Sequence, residues 1–258
     1  MARHESLLPR EHGAYAEIAF PLLTGLTLSQ PSLAAICIAL SAISFFLMHE
    51  PVAVWIGVRG TRAKELWSAH ARERTAWLAT IGVGTGAAAM VMAPAEGRLA
   101  ALVPLGFGAA LLPAFLSGRL KTLMSEVLVI AALSGTVLPM AVSSGVEWSL
   151  AWIAGGVWFV TFLIGTLAVH AIKAKTGKGV GTKWAIIATP ALGAVTAAVG
   201  LLAAVAERLP FAASLALTLA GLVGIVLSIT PVHPKQLKRV GWTFVAWNLV
   251  TWALLVVM

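Results

Sequence analysis

Residues 32–51 read SLAAICIALSAISFFLMHEP. From Ser32 to Met48 nothing is charged, and His49, Glu50 and Pro51 then close the run. A mostly aliphatic stretch of that length, ending on ionisable residues, reads as a helix crossing the hydrocarbon core of a bilayer, which takes roughly 20 residues. Working outward, the same pattern recurs along the chain and gives nine segments: about 13–29, 32–49, 75–94, 98–117, 123–143, 148–172, 184–206, 208–230 and 241–258. The composition agrees. Of 258 residues 59% are apolar and 11% charged, against roughly 25% charged in a soluble domain, and the mean hydropathy is +0.92. The expected fold is an all-α polytopic membrane bundle of about nine helices, with residues 1–258 as a single integral membrane domain and no room for a soluble one.

The basic residues test this span count independently, because Lys and Arg of short loops collect on the cytoplasmic side. With the N-terminus inside, that side receives Arg3, Arg10, Arg59, Arg62, Lys64, Arg72, Arg74, Arg119 and Lys121. It also receives Lys173, Lys175, Lys178, Lys183, Lys235, Lys238 and Arg239. Of the 18 basic residues only Arg98 and Arg208 fall opposite, and a different count would scramble the split. The expected location is therefore a bacterial inner membrane with a cytoplasmic N-terminus. The net charge of +8 then follows from topology and anionic lipid, with no need for a nucleic-acid partner. The start of the chain lacks an apolar run followed by a small-residue cleavage site, so no secretory signal is expected. The lone cysteine, Cys37, lies inside an apolar run and reads as a packing residue.

Polar chemistry concentrates in three places. The first is Pro9-Arg10-Glu11-His12-Gly13-Ala14-Tyr15-Ala16-Glu17. Glu17 stands about 9 Å into the first span at about 1.5 Å per residue, where a carboxylate needs a partner or a wet cavity. His12 and Tyr15 share a helix face, and His12 is a candidate proton donor or ligand. The second is a long expected loop from Glu50 to Arg74, which opens on His49-Glu50-Pro51 and carries Arg59-Gly60-Thr61-Arg62. Two arginines beside a glycine suit a bidentate fork for phosphate or carboxylate, while residues 61–74 read as a basic amphipathic helix lying on the membrane surface. The third is the segment from Lys173 to Lys183, where His170 and Lys173 share a helix face ahead of Gly177-Lys178-Gly179. For each cluster the plain alternative is a hydrogen-bonded histidine or positive-inside charge. Glu126 has the weaker claim of neutralising Arg119 or Lys121.

All ten acids are glutamate, so aspartate-based metal motifs are absent from the sequence, and no zinc-ligand spacing, nucleophile elbow, P-loop or dinucleotide glycine motif occurs. The cofactor is unknown from sequence, and magnesium held by aspartates is not expected.

The phrase Pro9–Glu17, the Phe20-Pro21-Leu22-Leu23 after it, and His49-Glu50-Pro51 with Arg59-Gly60-x-Arg62 resemble the YwiC-like family of bacterial membrane proteins. A more remote similarity is to UbiA-type intramembrane prenyltransferases. That resemblance implies nine helices around a cavity, polar loops after the second and sixth helices, and aspartates in those loops that hold magnesium and a prenyl diphosphate. Here His49-Glu50 stands near the first motif and His170-Ala171-Ile172-Lys173 near the second, and the aspartates are missing from both.

Three function classes stay open at this point. In an intramembrane transferase, Glu17, Glu50, His12 and His49 would move protons while Tyr15, Arg59, Arg62, His170 and Lys173 bind a lipidic isoprenoid or quinone-type substrate with an anionic head. A proton-coupled transporter would centre on Glu17. A non-catalytic membrane factor would bind lipid, quinone, a partner complex or haem, the last with His12, His49 and His170 as the ligands on offer.

Overall fold

The computed structural model describes residues 7–9, 12–175, 183–230 and 237–258, with the side chains of residues 12 and 237–240 excepted. Among these residues every regular element is helical: α1 (His12–Thr27), α2 (Leu33–Ile56), α3 (Thr61–Met92), α4 (Ala95–Leu116), α5 (Leu123–Gly135), α6 (Val137–Ser143), α7 (Trp148–Lys175), α8 (Ala185–Val205), α9 (Phe211–Ile229) and α10 (Leu237–Val256). Each expected span is met by a helix, α5 and α6 sharing one. Seven spans are long and apolar enough to cross a membrane among the described residues. At 16 residues α1 is shorter, about 24 Å at 1.5 Å per residue, and the apolar part of α10, Gly241–Val256, is likewise short.

The chain forms two compact units, Met1–Trp148 and Ser149–Met258. In the first, α6 is buried along its whole length, and Ile18 and Leu22 of α1, Ala35, Ile38 and Ala39 of α2, Ala89 of α3 and Met140 of α6 share one apolar cluster. Close approach explains Gly25, where a Cβ would stand 2.9 Å from that of Met140. The α5–α6 break has a local cause: Pro139 has no N–H for the Gly135 carbonyl, and Thr136 instead closes Oγ1 on the Leu133 carbonyl at 2.6 Å. Helices α2 and α3 pack through small residues. Ser41 Oγ donates to the Gly82 carbonyl at 2.8 Å, and a Cβ on Gly82 would lie 3.2 Å from Ser44 Cβ.

The expected long loop between the second and third spans is corrected. Helix α2 passes through Pro51 to Ile56, and α3 runs unbroken from Thr61 to Met92, so the connection shrinks to residues 57–60. Pro51 costs the Leu47 carbonyl its helical donor without ending the helix, and Thr61–Arg74 contains neither glycine nor proline to separate a surface helix from the span. Gly57 ends α2 in the left-handed region at φ 93°, its N–H bonded to the Val54 carbonyl. The Gly177-Lys178-Gly179 turn lies outside the described residues.

Two contacts fix the ends of this unit. Val58 lies 3.6 Å from the Cβ position of Gly118, so the α2–α3 and α4–α5 connections share one end. Ser29 Oγ donates to the Ser144 carbonyl at 2.8 Å, and the Ser32 N–H to Ser144 Oγ at 3.1 Å, at the other. The first end carries Arg59, Arg62, Lys64, Arg119 and Lys121, whereas Arg98 lies on the second, beside the start of α4. Trp55, Trp77 and Trp148 are exposed near span ends, as an aromatic belt requires.

In the second unit α8 and α9 touch backbone to backbone. A Cβ on Gly193 would lie 2.7 Å from the Gly221 carbonyl oxygen, and one on Gly200 the same distance from that of Ser214. Lys175 Nζ, at the end of α7, donates to the Ser228 carbonyl at 2.6 Å, near the end of α9.

Candidate functional site

Glu50 is buried in α2 at 2% exposure. A carboxylate there must be paired, since desolvation of a lone charge is prohibitive. The partner is Arg59. Beyond Gly57 the chain doubles back, the Arg59 N–H bonds the Ala53 carbonyl at 3.2 Å, and the guanidinium donates from Nη2 to Glu50 Oε2. Gly60, at φ 100°, then starts α3. Arg59 keeps 40% of its side chain in contact with the surroundings, so the pair links a buried anion to the rim of the unit, and the remaining guanidinium N–H groups are held there in a defined orientation.

His49 borders the same carboxylate. Its Nδ1 is 2.7 Å from the Phe46 carbonyl, which only accepts, so Nδ1 carries a proton. Nε2 lies 3.6 Å from Glu50 Oε2. Phe46 joins this turn to α1: Tyr15 meets its ring edge-on at 5.6 Å, and the His49 ring is tilted against it at 5.9 Å. Tyr15 donates its hydroxyl to the Pro9 carbonyl at 3.1 Å, tying the segment before α1 to the same place.

Tyr15, His49, Glu50 and Arg59 are thus brought together. Glu17 follows Tyr15 on α1, half-buried and with an interaction partner of its own. His12 opens α1, and its side chain lies outside those described. Arg62 is exposed on the first turn of α3, while Arg59 turns inward to Glu50. His170, buried, and Lys173 belong to α7 in the second unit, and Glu126 lies in the first turn of α5. Among the described residues no group of three His, Cys, Asp or Glu side chains is placed to hold a metal ion. Phe46 was not legible as part of this cluster. The one signal was spacing, since Phe46 stands a helical turn before His49.

Along α3 the first unit also has an open groove of about 360 Å³, lined by Leu7, His70, Glu73, Arg74, Trp77 and Leu78. Its α3 residues follow one helix face, charged at one end and apolar at the other.

The family model described as YwiC-like protein matches residues 8–142, more than half of the chain. The chain belongs to the YwiC-like family. The matched stretch runs from α1 into α6 and includes every member of the Tyr15–His49–Glu50–Arg59 cluster. No curated protein and no solved structure matches this YwiC-like protein.

Proposed function

We propose that this protein is a multi-pass component of a bacterial cytoplasmic membrane, oriented with the Arg59 end of its first unit toward the cytoplasm, and that this end binds the anionic head of a lipidic molecule of the isoprenoid or quinone type. The observation that carries the reading is the buried Glu50 holding Arg59 at the rim. A guanidinium fixed by an interior carboxylate loses less freedom on meeting an oxyanion than a free surface arginine does. Arg62, exposed one turn into α3, adds a second cation, and the concentration of basic residues at this end supports the orientation.

His49 favours a second reading, in which the site also moves a proton. Its Nε2, 3.6 Å from Glu50, is placed to exchange one with a bound head, as a transferase or a proton-coupled carrier requires. With one carboxylate in the cluster, the head is held by arginine rather than by the paired aspartates of magnesium-dependent prenyl transfer.

Native mass spectrometry with lipid extraction, on wild type beside Arg59→Ala with Arg62→Ala, tests the binding reading. A co-purified anionic lipid or isoprenoid lost from the double variant is the expected result. An empty wild type, or a ligand retained equally by both, overturns it.

A further inference from the structure

Hydroxyls inside the spans mostly close on the carbonyl one helical turn back: Thr24 on Phe20, Thr80 on Ala76, Thr189 on Ala185 and Thr218 on Ser214. That bond satisfies the hydroxyl without leaving the helix. Thr161 of α7 and Thr251 of α10 depart from the pattern. They are 3% and 0% exposed, and their Oγ1 atoms have no hydrogen-bond partner among the described residues, nor has Oδ1 of Asn248, which is also 3% exposed.

These three groups lie on two helices that touch. Phe244 of α10 comes within 3.2 Å of the Cβ position of Gly165 on α7, and α7 and α10, three spans apart, cross in opposite directions if each span crosses once. Counted along antiparallel helices from that contact, one turn puts Thr161 and Asn248 at matching register positions, and a further turn does the same for Trp158 and Thr251. Phe244, Asn248, Thr251 and Leu255 lie on one face of α10, and the last three are buried. In hydrocarbon a polar group without a partner is strongly disfavoured, and no two of these groups bond each other.

We infer that Thr161, Asn248 and Thr251 form a hydrogen-bonding site inside the second unit for an uncharged hydroxylic ligand, either water or the hydroxyl of a neutral lipid. The atoms select the class. Asn248 Oδ1 only accepts, so the ligand must donate an O–H, and the threonine hydroxyls can donate to the same oxygen in return. A carbonyl alone would leave Oδ1 unmet. Neutrality follows from the surroundings: α8, α9 and α10 from Gly241 onward contain no ionisable side chain, and on α7 the first is His170, about 13 Å beyond Thr161 at 1.5 Å per residue.

The test uses the full chain in membranes, in a Cys37→Ala background, with Thr161→Cys and Asn248→Cys beside Thr189→Cys, a buried position whose hydroxyl is already satisfied. A small water-soluble methanethiosulfonate probes water, and solvent extraction of wild type and Asn248→Leu probes a bound hydroxyl lipid. Labelling at 161 and 248 at least fivefold faster than at 189 assigns the site to water. A neutral hydroxyl lipid present in wild type and lost in Asn248→Leu assigns it to lipid. Labelling no faster than at 189, together with no such lipid, overturns the inference. Should the cysteine variants fail to fold, solid-state NMR on wild type labelled with nitrogen-15 at its sole asparagine, Asn248, decides: magnetisation transfer to the Asn248 side chain from water or from a lipid hydroxyl supports the site, and transfer from neither overturns it.

Discussion

Arg59 lies nine residues after Glu50, beyond the end of α2, yet its guanidinium closes on the Glu50 carboxylate because the chain reverses at Gly57 and returns to the helix it has just left. The interior end of this pair is buried and its outer end is not. The two partners therefore respond unequally to removal.

Arg59→Ala leaves a carboxylate desolvated and unpaired, whereas Glu50→Gln leaves a cation that can turn outward. Removing one partner of a fully buried pair costs roughly 3–5 kcal/mol, and the partial exposure of Arg59 reduces this to about 2 kcal/mol. Thermal unfolding in detergent should rank Arg59→Ala below Glu50→Gln, with the double variant recovering part of the loss. An Arg59→Ala protein as stable as Glu50→Gln would show that the pair contributes nothing as a pair.

The reversal itself rests on two glycines with different demands. Gly57 is left-handed at φ 93° and ψ 9°, while Gly60, at φ 100° and ψ 160°, occupies a region that only glycine visits readily. A Cβ on Gly60 meets nothing within 4 Å, whereas one on Gly57 would come 3.2 Å from Lys64 Cδ, a flexible neighbour. Backbone strain alone thus makes Gly60→Ala the worse change, by about 1–3 kcal/mol, and it should also release whatever ligand Arg59 holds. Gly84→Ala, helical and open, should be neutral or gain about 1 kcal/mol. Equal melting of Gly60→Ala and Gly84→Ala would remove the turn from the argument.

The span positions were legible because lipid imposes one rule on all of them: an apolar run flanked by charge. The α2–α3 connection was not. Pro51 reads as a terminator, and Thr61–Arg74 has the charge and periodicity of a surface helix; packing against α2 decides instead that both helices run on. In the site, Glu50, His49, Arg59 and Tyr15 stood out as ionisable or polar residues beside apolar runs. Their juxtaposition did not, since it depends on the φ of Gly57 and on Phe46, an aromatic residue indistinguishable in sequence from its apolar neighbours. Thr161, Asn248 and Thr251 were equally silent, because hydroxyls inside spans usually bond their own helix.

Helix pairing in the second unit makes a further prediction. With a Cβ at Gly193 only 2.7 Å from the Gly221 carbonyl oxygen, Gly193→Ala must push α8 and α9 apart, and backbone atoms cannot yield as a flexible side chain does. Loss of about 2 kcal/mol is expected. Gly156→Ala on α7, with nothing within 4 Å, controls for the general effect of alanine in a helix. A Gly193→Ala protein that unfolds with wild type would place the two backbones further apart than described.

Orientation yields the last prediction. The basic end of the first unit contains both the α2–α3 and α4–α5 connections, and the proposed orientation, resting on positive charge being retained inside, has both facing the cytoplasm. If each helix crosses once, with α5 and α6 counted as one span, the count is nine and the C-terminus is expected on the opposite side. A green fluorescent reporter inserted at Arg119 should therefore fluoresce, while alkaline phosphatase fused after Met258 should be active. Fluorescence at both positions would mean an even number of crossings after Arg119, and α10, whose apolar part Gly241–Val256 is short, would then lie in the interface. Phosphatase activity at Arg119 would reverse the whole molecule and put the Glu50–Arg59 pair outside the cell, where cytoplasmic lipid precursors cannot reach it.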